Sequence, residues 1–186
     1  MAAFLEETLR SIVASDYQPL EVIVVDDCST DNMDCLKKYE GKIKLFSLKE
    51  NKGSGYARNI ILDNAEGEYI FGMDNDDYLY TDEFRKAMKE LDGTDMVFIN
   101  QRINNGFVFK LCEENKHDYC AFWTKFIKRD LIGNTRCIET YILDDYYFNE
   151  ELMKKPHTEK YTDIVAYHYN YPREGSIIWK KDHNQL

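Results

Sequence analysis

Two short apolar runs in this chain stop abruptly at aspartates, and that pattern narrows the folds open to it. Leu20-Glu21-Val22-Ile23-Val24-Val25 runs into Asp26-Asp27, and Glu68-Tyr69-Ile70-Phe71-Gly72-Met73 runs into Asp74-Asn75-Asp76-Asp77. Short apolar runs of this kind read as strands buried on both faces. Helical patterns precede and separate them. Phe4, Leu5, Leu9, Ile12 and Val13 share one helical face, while Glu6, Glu7 and Arg10 face away. Ser29-Thr30-Asp31 offers caps for a helix over 31–40 that Gly41 closes. Ile43 to Leu48 reads as a strand, and the turn Asn51-Lys52-Gly53-Ser54-Gly55 leads into a helix over 55–65. Strands alternating with helices predict an α/β fold with a mostly parallel sheet flanked by helices. Ligands of such sheets bind beyond the carboxyl ends of the strands, where both acidic segments stand.

The second half is less regular. It predicts a helix over 82–91, strands over 95–100 and 107–111 around Asn104-Asn105-Gly106, helices over 121–132 and 145–154, and a strand over 160–170. Neither a repeat nor a linker interrupts it, so residues 1–186 read as one domain. That length buries a core without disulfides. A net charge of −10 excludes general nucleic-acid affinity, which needs a basic face. The five cysteines are odd in number and lack C-x-x-C pairing, which predicts reduced thiols in a cytoplasmic protein. The sequence lacks an apolar run of membrane-span length and a signal peptide, so membrane association is expected to be at most peripheral, at the inner face.

The run Asp74-Asn75-Asp76-Asp77 places three carboxylates within four residues. At ~4 Å each like-charge pair costs about 1 kcal/mol in water and several times more in a partly dry cleft. A divalent cation removes that cost, and hard oxygen ligands suit Mg²⁺ or Mn²⁺ shared with substrate phosphates. The plain alternative is a solvated loop ahead of the helix over 82–91, favoured by the helix dipole. A calcium loop of the EF-hand type counted from Asp74 is excluded, because Leu79 and Arg85 occupy the positions that need Gly and Glu.

Five ordered segments then resemble glycosyltransferase family 2, the inverting enzymes of GT-A fold. Val24-Val25-Asp26-Asp27-Cys28-Ser29-Thr30-Asp31 is similar to V-D-D-G-S-T-D. Asn51-Lys52-Gly53 through Ala57-Arg58-Asn59 resembles N-x-G…A-R-N. Gly67-Glu68-Tyr69-Ile70 through Met73-Asp74-Asn75-Asp76-Asp77 resembles G-E-Y-I…L-D-S-D-D. Leu143-Asp144-Asp145-Tyr146-Tyr147-Phe148 is similar to G-E-D-x-x-F, and Tyr167-His168-Tyr169 through Arg173-Glu174-Gly175-Ser176-Ile177 to Y-x-Y…R-x-G-S-I.

The resemblance implies transfer of a sugar from a UDP-sugar to a saccharide or lipid-linked acceptor, in cell-surface polysaccharide synthesis. It implies that Asp27 meets the uracil or ribose with Asp26 beside it, and that Arg58 contacts the base or diphosphate. Asp76 is then the Mn²⁺ or Mg²⁺ residue, with Asp74 and Asn75 near the ribose and the metal waters. Asp145 is the general base, with Asp144 beside it at the catalytic position. Residues 1–80 become the nucleotide-binding part and 81–186 the acceptor and catalytic part. Tyr167, Tyr169 and Trp123 are expected to pack, and His168, where some related enzymes place a third metal contact, to be a packed or surface residue.

The family begins with an apolar strand that this chain lacks before the helix at Phe4, a strand that lies between those matching 20–25 and 68–73. A truncated start, direct pairing of the two flanking strands, or cover from another chain each account for it. Cys28 stands for Gly and Asp144 for Glu. The competing functions are a non-catalytic or truncated scaffold that dimerises through the same fold, and a UDP- or metal-binding module without transfer.

Overall fold

In the computed structural model, residues 2–116, 121–140 and 143–174 are described. Helix α1 (Ala2–Val13) follows its apolar pattern. Leu5 and Leu9 pack on Leu36 and Tyr39 of a short 3₁₀ helix (Asp34–Tyr39), where a longer helix over 31–40 was expected. A second stripe of α1 is polar and small. The Thr8 hydroxyl donates to the Asp77 carbonyl (2.5 Å), and Ser11 Oγ accepts from the Leu79 N–H (3.0 Å). The helix therefore binds the acidic run's backbone directly.

Strand β1 (Ile23–Asp26) pairs in parallel with β2 (Lys44–Ser47), and the two form a sheet of their own. The expectation that β1 is buried on both faces is not met: all four of its residues are half-buried. Its neighbour β2 is largely exposed, and β1 has no strand on its other side among the described residues. Helix α2 (Ser54–Asn64) packs on β1 and leads to β3 (Tyr69–Phe71).

Strand β3 opens the larger sheet. With β4 (Tyr78–Leu79), β5 (Met96–Ile103), β6 (Val108–Phe109), β7 (Lys125–Lys128) and β8 (Glu159–Tyr169), it forms the order β3-β7-β5-β8-β4, with β6 on β5. Only β5 and β8 pair in parallel here. The sheet is thus mixed rather than mostly parallel: β3–β7, β5–β7 and β4–β8 pair antiparallel, as does β5–β6 across a tight turn at Gly106. Strands β1 and β3 do not pair with each other, so direct closure of the two flanking strands is not the arrangement adopted. Their starts are linked through side chains: Glu21 accepts from the Glu66 N–H (2.8 Å), and Lys44 bridges Glu21 (2.5 Å) and Glu66 (3.0 Å).

The helix expected over 121–132 is a correction. Phe122–Thr124 forms a 3₁₀ turn, β7 follows, and only Arg129–Ile132 is helical (α4). Phe126 and Ile127 are each 1% exposed and face opposite sides of the sheet. Ile127 joins Leu62, Ile70, Met96, Phe98, Phe148 and Leu152 under α2 and α5 (Asp144–Met153), whereas Phe126 joins Phe84, Val97, Ile99 and Tyr167 under α3 (Thr81–Met88). Pairing with β3 and β5 on both edges outweighs any local helical preference.

No helix among the described residues is long and apolar enough to cross a membrane. Cys28, Cys112 and Cys137 are free thiols, and Cys120 lies outside the described residues.

Cys28, just past β1, has φ +62°, and Leu143, just before α5, has φ +63°. Both occupy positions where the resembling motifs carry Gly, and the Leu143 departure was not noted from the sequence. A side chain in the left-handed region costs roughly 1–2 kcal/mol, of which glycine's extra unfolded-state freedom returns about half. Cys28→Gly is therefore expected to raise stability by roughly 0.5–1 kcal/mol. Urea unfolding checks this: the midpoint should rise at constant m, and a lower midpoint would refute the backbone argument.

Candidate functional site

Helix α2 gathers the site. Ahead of it, the Asp27 carboxylate accepts from the Lys52 and Gly53 N–H groups (2.7 Å each), which ties the end of β1 to the turn 51–53. Asp26 accepts from the Ser29 N–H (2.9 Å). Gly55 lies so close to the segment 138–140 that a Cβ there would sit 2.0 Å from the Ile138 carbonyl oxygen. The Asn59 amide grips Cys137 through both its N–H (2.8 Å) and its carbonyl (2.9 Å). These contacts draw the approach to α5 across the front of α2.

Arg58 completes the join. Its guanidinium donates to Asp144 and, at 3.3 Å, to Asp74, and it lies 5.4 Å over the Phe122 ring. Asp144 is buried and also accepts from Ser54 Oγ (2.8 Å). Asp145, the next residue, is half-buried and accepts from the Tyr146 N–H (2.9 Å). The structure thus brings Arg58, Asp74, Asp144 and Asp145 together, with Asp76 close enough to influence the charge of Asp74.

Each residue of the acidic run has a different environment. Asp74 accepts from the Trp123 indole N–H (3.2 Å) and is 41% exposed. Asn75 is exposed, and its carbonyl accepts from Thr8 (3.2 Å). Asp76 pairs with Arg173, whose Nε lies 2.7 Å away. Asp77 is 1% exposed and acts as an internal post. Its carboxyl accepts from the Asn170 N–H (2.8 Å) and shares a 2.5 Å hydrogen bond with the Tyr167 hydroxyl. That hydroxyl also accepts from the Asp74 N–H (3.3 Å).

Burial would pull the Arg58 guanidinium down, but Asp74 and Asp144 overcome this and hold it above its ordinary range. Burial raises the Asp74 carboxyl; Arg58 opposes the shift, and Asp76 and Asp145 add to it. Solvent reaching Asp74 screens part of that push. Burial also pushes the Asp77 carboxyl up to about 8, against its bonds to Tyr167 and Asn170.

No group of three His, Cys, Asp or Glu side chains among the described residues is placed to cage a metal. The donor chemistry nevertheless fits a hard cation shared with phosphates. Asp74 and Asp76 offer carboxylate oxygens at the end of a strand, and each now meets a guanidinium that stands in for a cation. His168 packs as expected. It stacks on Tyr78 (4.2 Å), and its ring nitrogens contact Tyr80 (2.8 Å) and Asn104 (2.9 Å). Trp123 and Tyr167 stack at 4.9 Å.

Sequence reasoning missed Ser54, Asn170 and the contacts of Trp123 and Arg173. For Arg173 a signal existed, its place in the closing motif; the Gly175-Ser176-Ile177 end of that motif lies outside the described residues.

A family model described as Glycosyl transferase family 2 matches residues 2–155. The poly(ribitol-phosphate) beta-N-acetylglucosaminyltransferase TarS of Staphylococcus aureus is 29% identical over 197 residues, covering 92% of this chain and 34% of that protein. The putative teichuronic acid biosynthesis glycosyltransferase TuaG of Bacillus subtilis is 37% identical over 90 residues, covering 46% of this chain and 36% of its own length. The crystal structure of S. aureus TarS 1–349 in complex with UDP-GlcNAc superposes with a TM-score of 0.82 at 25% identity, over 94% of this chain and 56% of that one. The mannosyltransferase PcManGT of Pyrobaculum calidifontis, in complex with GDP-Man and Mn²⁺, shares the fold with a TM-score of 0.74 at 21% identity, over 97% of this chain and 56% of that one. The chain spans about a third of the length of the curated relatives it matches.

The Asp77 environment gives a pH dependence. An ordinary value of 3.8 applies when the chain is unfolded, against about 8 in the fold. Between those limits the native state holds a proton that the unfolded state has released, so stability falls as pH rises and the loss is complete above 8. Asp77→Asn is neutral throughout and keeps a carbonyl for Asn170 and an N–H for Tyr167. Thermal melts from pH 5 to 8 should show a flatter pH dependence in the variant than in the parent. Equal slopes would refute the assignment.

Proposed function

The chain belongs to glycosyl transferase family 2 and has the α/β GT-A fold, and we propose that it transfers a sugar from a UDP-sugar to a hydroxyl of a saccharide acceptor, with inversion, during assembly of a cell-surface polysaccharide. The observation that carries this reading is the Arg58 bridge. It ties the acidic run to the first turn of α5, which supports a diphosphate side and an acceptor side next to each other. The likeness to TarS, whose complex holds UDP-GlcNAc, supports the donor class. The poly(ribitol-phosphate) and teichuronic acid relatives support the product class.

In this reading Asp26 and Asp27 shape the turn beside the base, and Arg58 faces the diphosphate with a permanent charge. Asp145 takes the proton from the acceptor hydroxyl as its oxygen attacks the anomeric carbon and the bond to the diphosphate oxygen breaks. Asp144, spent on Ser54 and Arg58, positions Asp145 at the start of α5. Asp76, with Asp74 and Asn75 beside it, would hold Mn²⁺ or Mg²⁺, which when bound stabilises charge on the departing diphosphate. A second reading, a non-catalytic scaffold that pairs with another copy, draws on the β1 and β3 edges that lack a second neighbour among the described residues.

Asp145→Asn is expected to lower transfer by at least about 100-fold while UDP affinity stays within about twofold, the span of a lost general base. Steady-state transfer and calorimetry with UDP check it together; unchanged turnover removes Asp145 from the role. Asp76→Ala should abolish the Mn²⁺-dependent part of UDP binding in the same calorimeter. Retention of that part would overturn the metal assignment. Complete absence of UDP-sugar hydrolysis and transfer by the parent protein would favour the scaffold reading.

A further inference from the structure

Arg173 has no place in the reading above, yet it holds the residue on which that reading puts the metal. Its Nε and one terminal nitrogen lie 2.7 and 2.5 Å from the same Asp76 oxygen. Both side chains are about one-fifth exposed, at 19% and 18%. The guanidinium also lies 5.3 Å over the Phe4 ring of α1. Three residues earlier, Asn170 donates its backbone N–H to Asp77 and its side-chain amide to the Asp76 carbonyl (3.2 Å). The segment carrying Arg173 is therefore fastened to the acidic run.

We propose that Arg173 is a resident counter-ion for Asp76, exchanged when a nucleoside diphosphate arrives, so that Asp76 accepts a divalent cation only together with the diphosphate. This rests on the reading of Asp76 as the metal residue. Charge accounting supports it. Asp74, Asp76, Asp144 and Asp145 face two guanidiniums, and Arg58 is already shared by Asp74 and Asp144. Arg173 has a single carboxylate partner among the described residues and is the one that can leave. A cation arriving alone must displace a charge-assisted pair and leave a guanidinium over Phe4 without an anion. A cation arriving with a diphosphate does not, because phosphate oxygens suit the guanidinium fork as well as the carboxylate does.

Mn²⁺ binding read by electron paramagnetic resonance tests this on the whole chain, with and without UDP. The parent should bind Mn²⁺ weakly alone and at least about tenfold more tightly with UDP, the scale of one charged hydrogen bond. Arg173→Gln should bind Mn²⁺ alone about tenfold more tightly than the parent and lose most of the effect of UDP. Arg173→Lys keeps the counter-charge, so its binding of Mn²⁺ alone should stay weak; it also serves if the glutamine variant fails to fold. A purely structural clamp would lower thermal stability in Arg173→Gln and leave Mn²⁺ affinity and its coupling to UDP unchanged, which overturns the inference. Asp76→Ala separates the two levels. If it leaves Mn²⁺–UDP binding intact, the metal reading itself falls. If it abolishes that binding while Arg173→Gln behaves as the parent, only the exchange falls.

Discussion

Arg58 sits between Asp74, just past β3, and Asp144, at the start of α5, and joins those two elements directly. The guanidinium and Asp144 are both largely withdrawn from water, so the desolvation of Asp144 is compensated by Arg58 and Ser54, and that of Arg58 by Asp144 and Asp74. Removing one member of such a pair strands the other, a loss of about 3–5 kcal/mol. The geometry of the cleft follows from this bridge. It sets how far the acidic run stands from Asp145, and it requires α2 to pass between them.

The surroundings of α2 are built to allow that passage. Gly55 gives the segment 138–140 room to lie against the helix, and Asn59 satisfies both backbone groups of Cys137 there. Behind the acidic run, the stacked Trp123 and Tyr167 form a flat wall, and Tyr167 and Asp77 hold the loop from inside. The run is thus a shaped surface rather than a solvated loop. The β1–β2 sheet is less well supported, since both strands are half-buried or exposed and the sheet has only two members. Two-stranded sheets are marginal alone, so this part leans on α1, α2 and the ties from Asp27 and Glu21.

Much of this was legible in the sequence where a signal is local. The apolar stripe of α1, the acid-terminated strands, α5 and the long β8 all follow from spacing and end signals. The stretch 121–132 was not legible, because its apolar residues serve two faces of a sheet whose partners, β3 and β5, are distant in sequence. The same holds for the site. Which aspartates matter could be read from their position after a strand. What each one touches could not, since the Trp123–Asp74 and Arg173–Asp76 contacts span 49 and 97 residues. The left-handed backbone at Cys28 and Leu143 was visible only as two departures from motif glycines, one of them overlooked.

The indole N–H of Trp123 points at an Asp74 oxygen, and its ring lies flat on Tyr167. An indole's emission responds to charges placed near one end of its ring. The sequence has two tryptophans, and the other, Trp179, lies outside the described residues. The protein therefore carries a native optical probe whose dipole is fixed against the acidic run. Changes in charge at that run are written into its ultraviolet fluorescence without any added label.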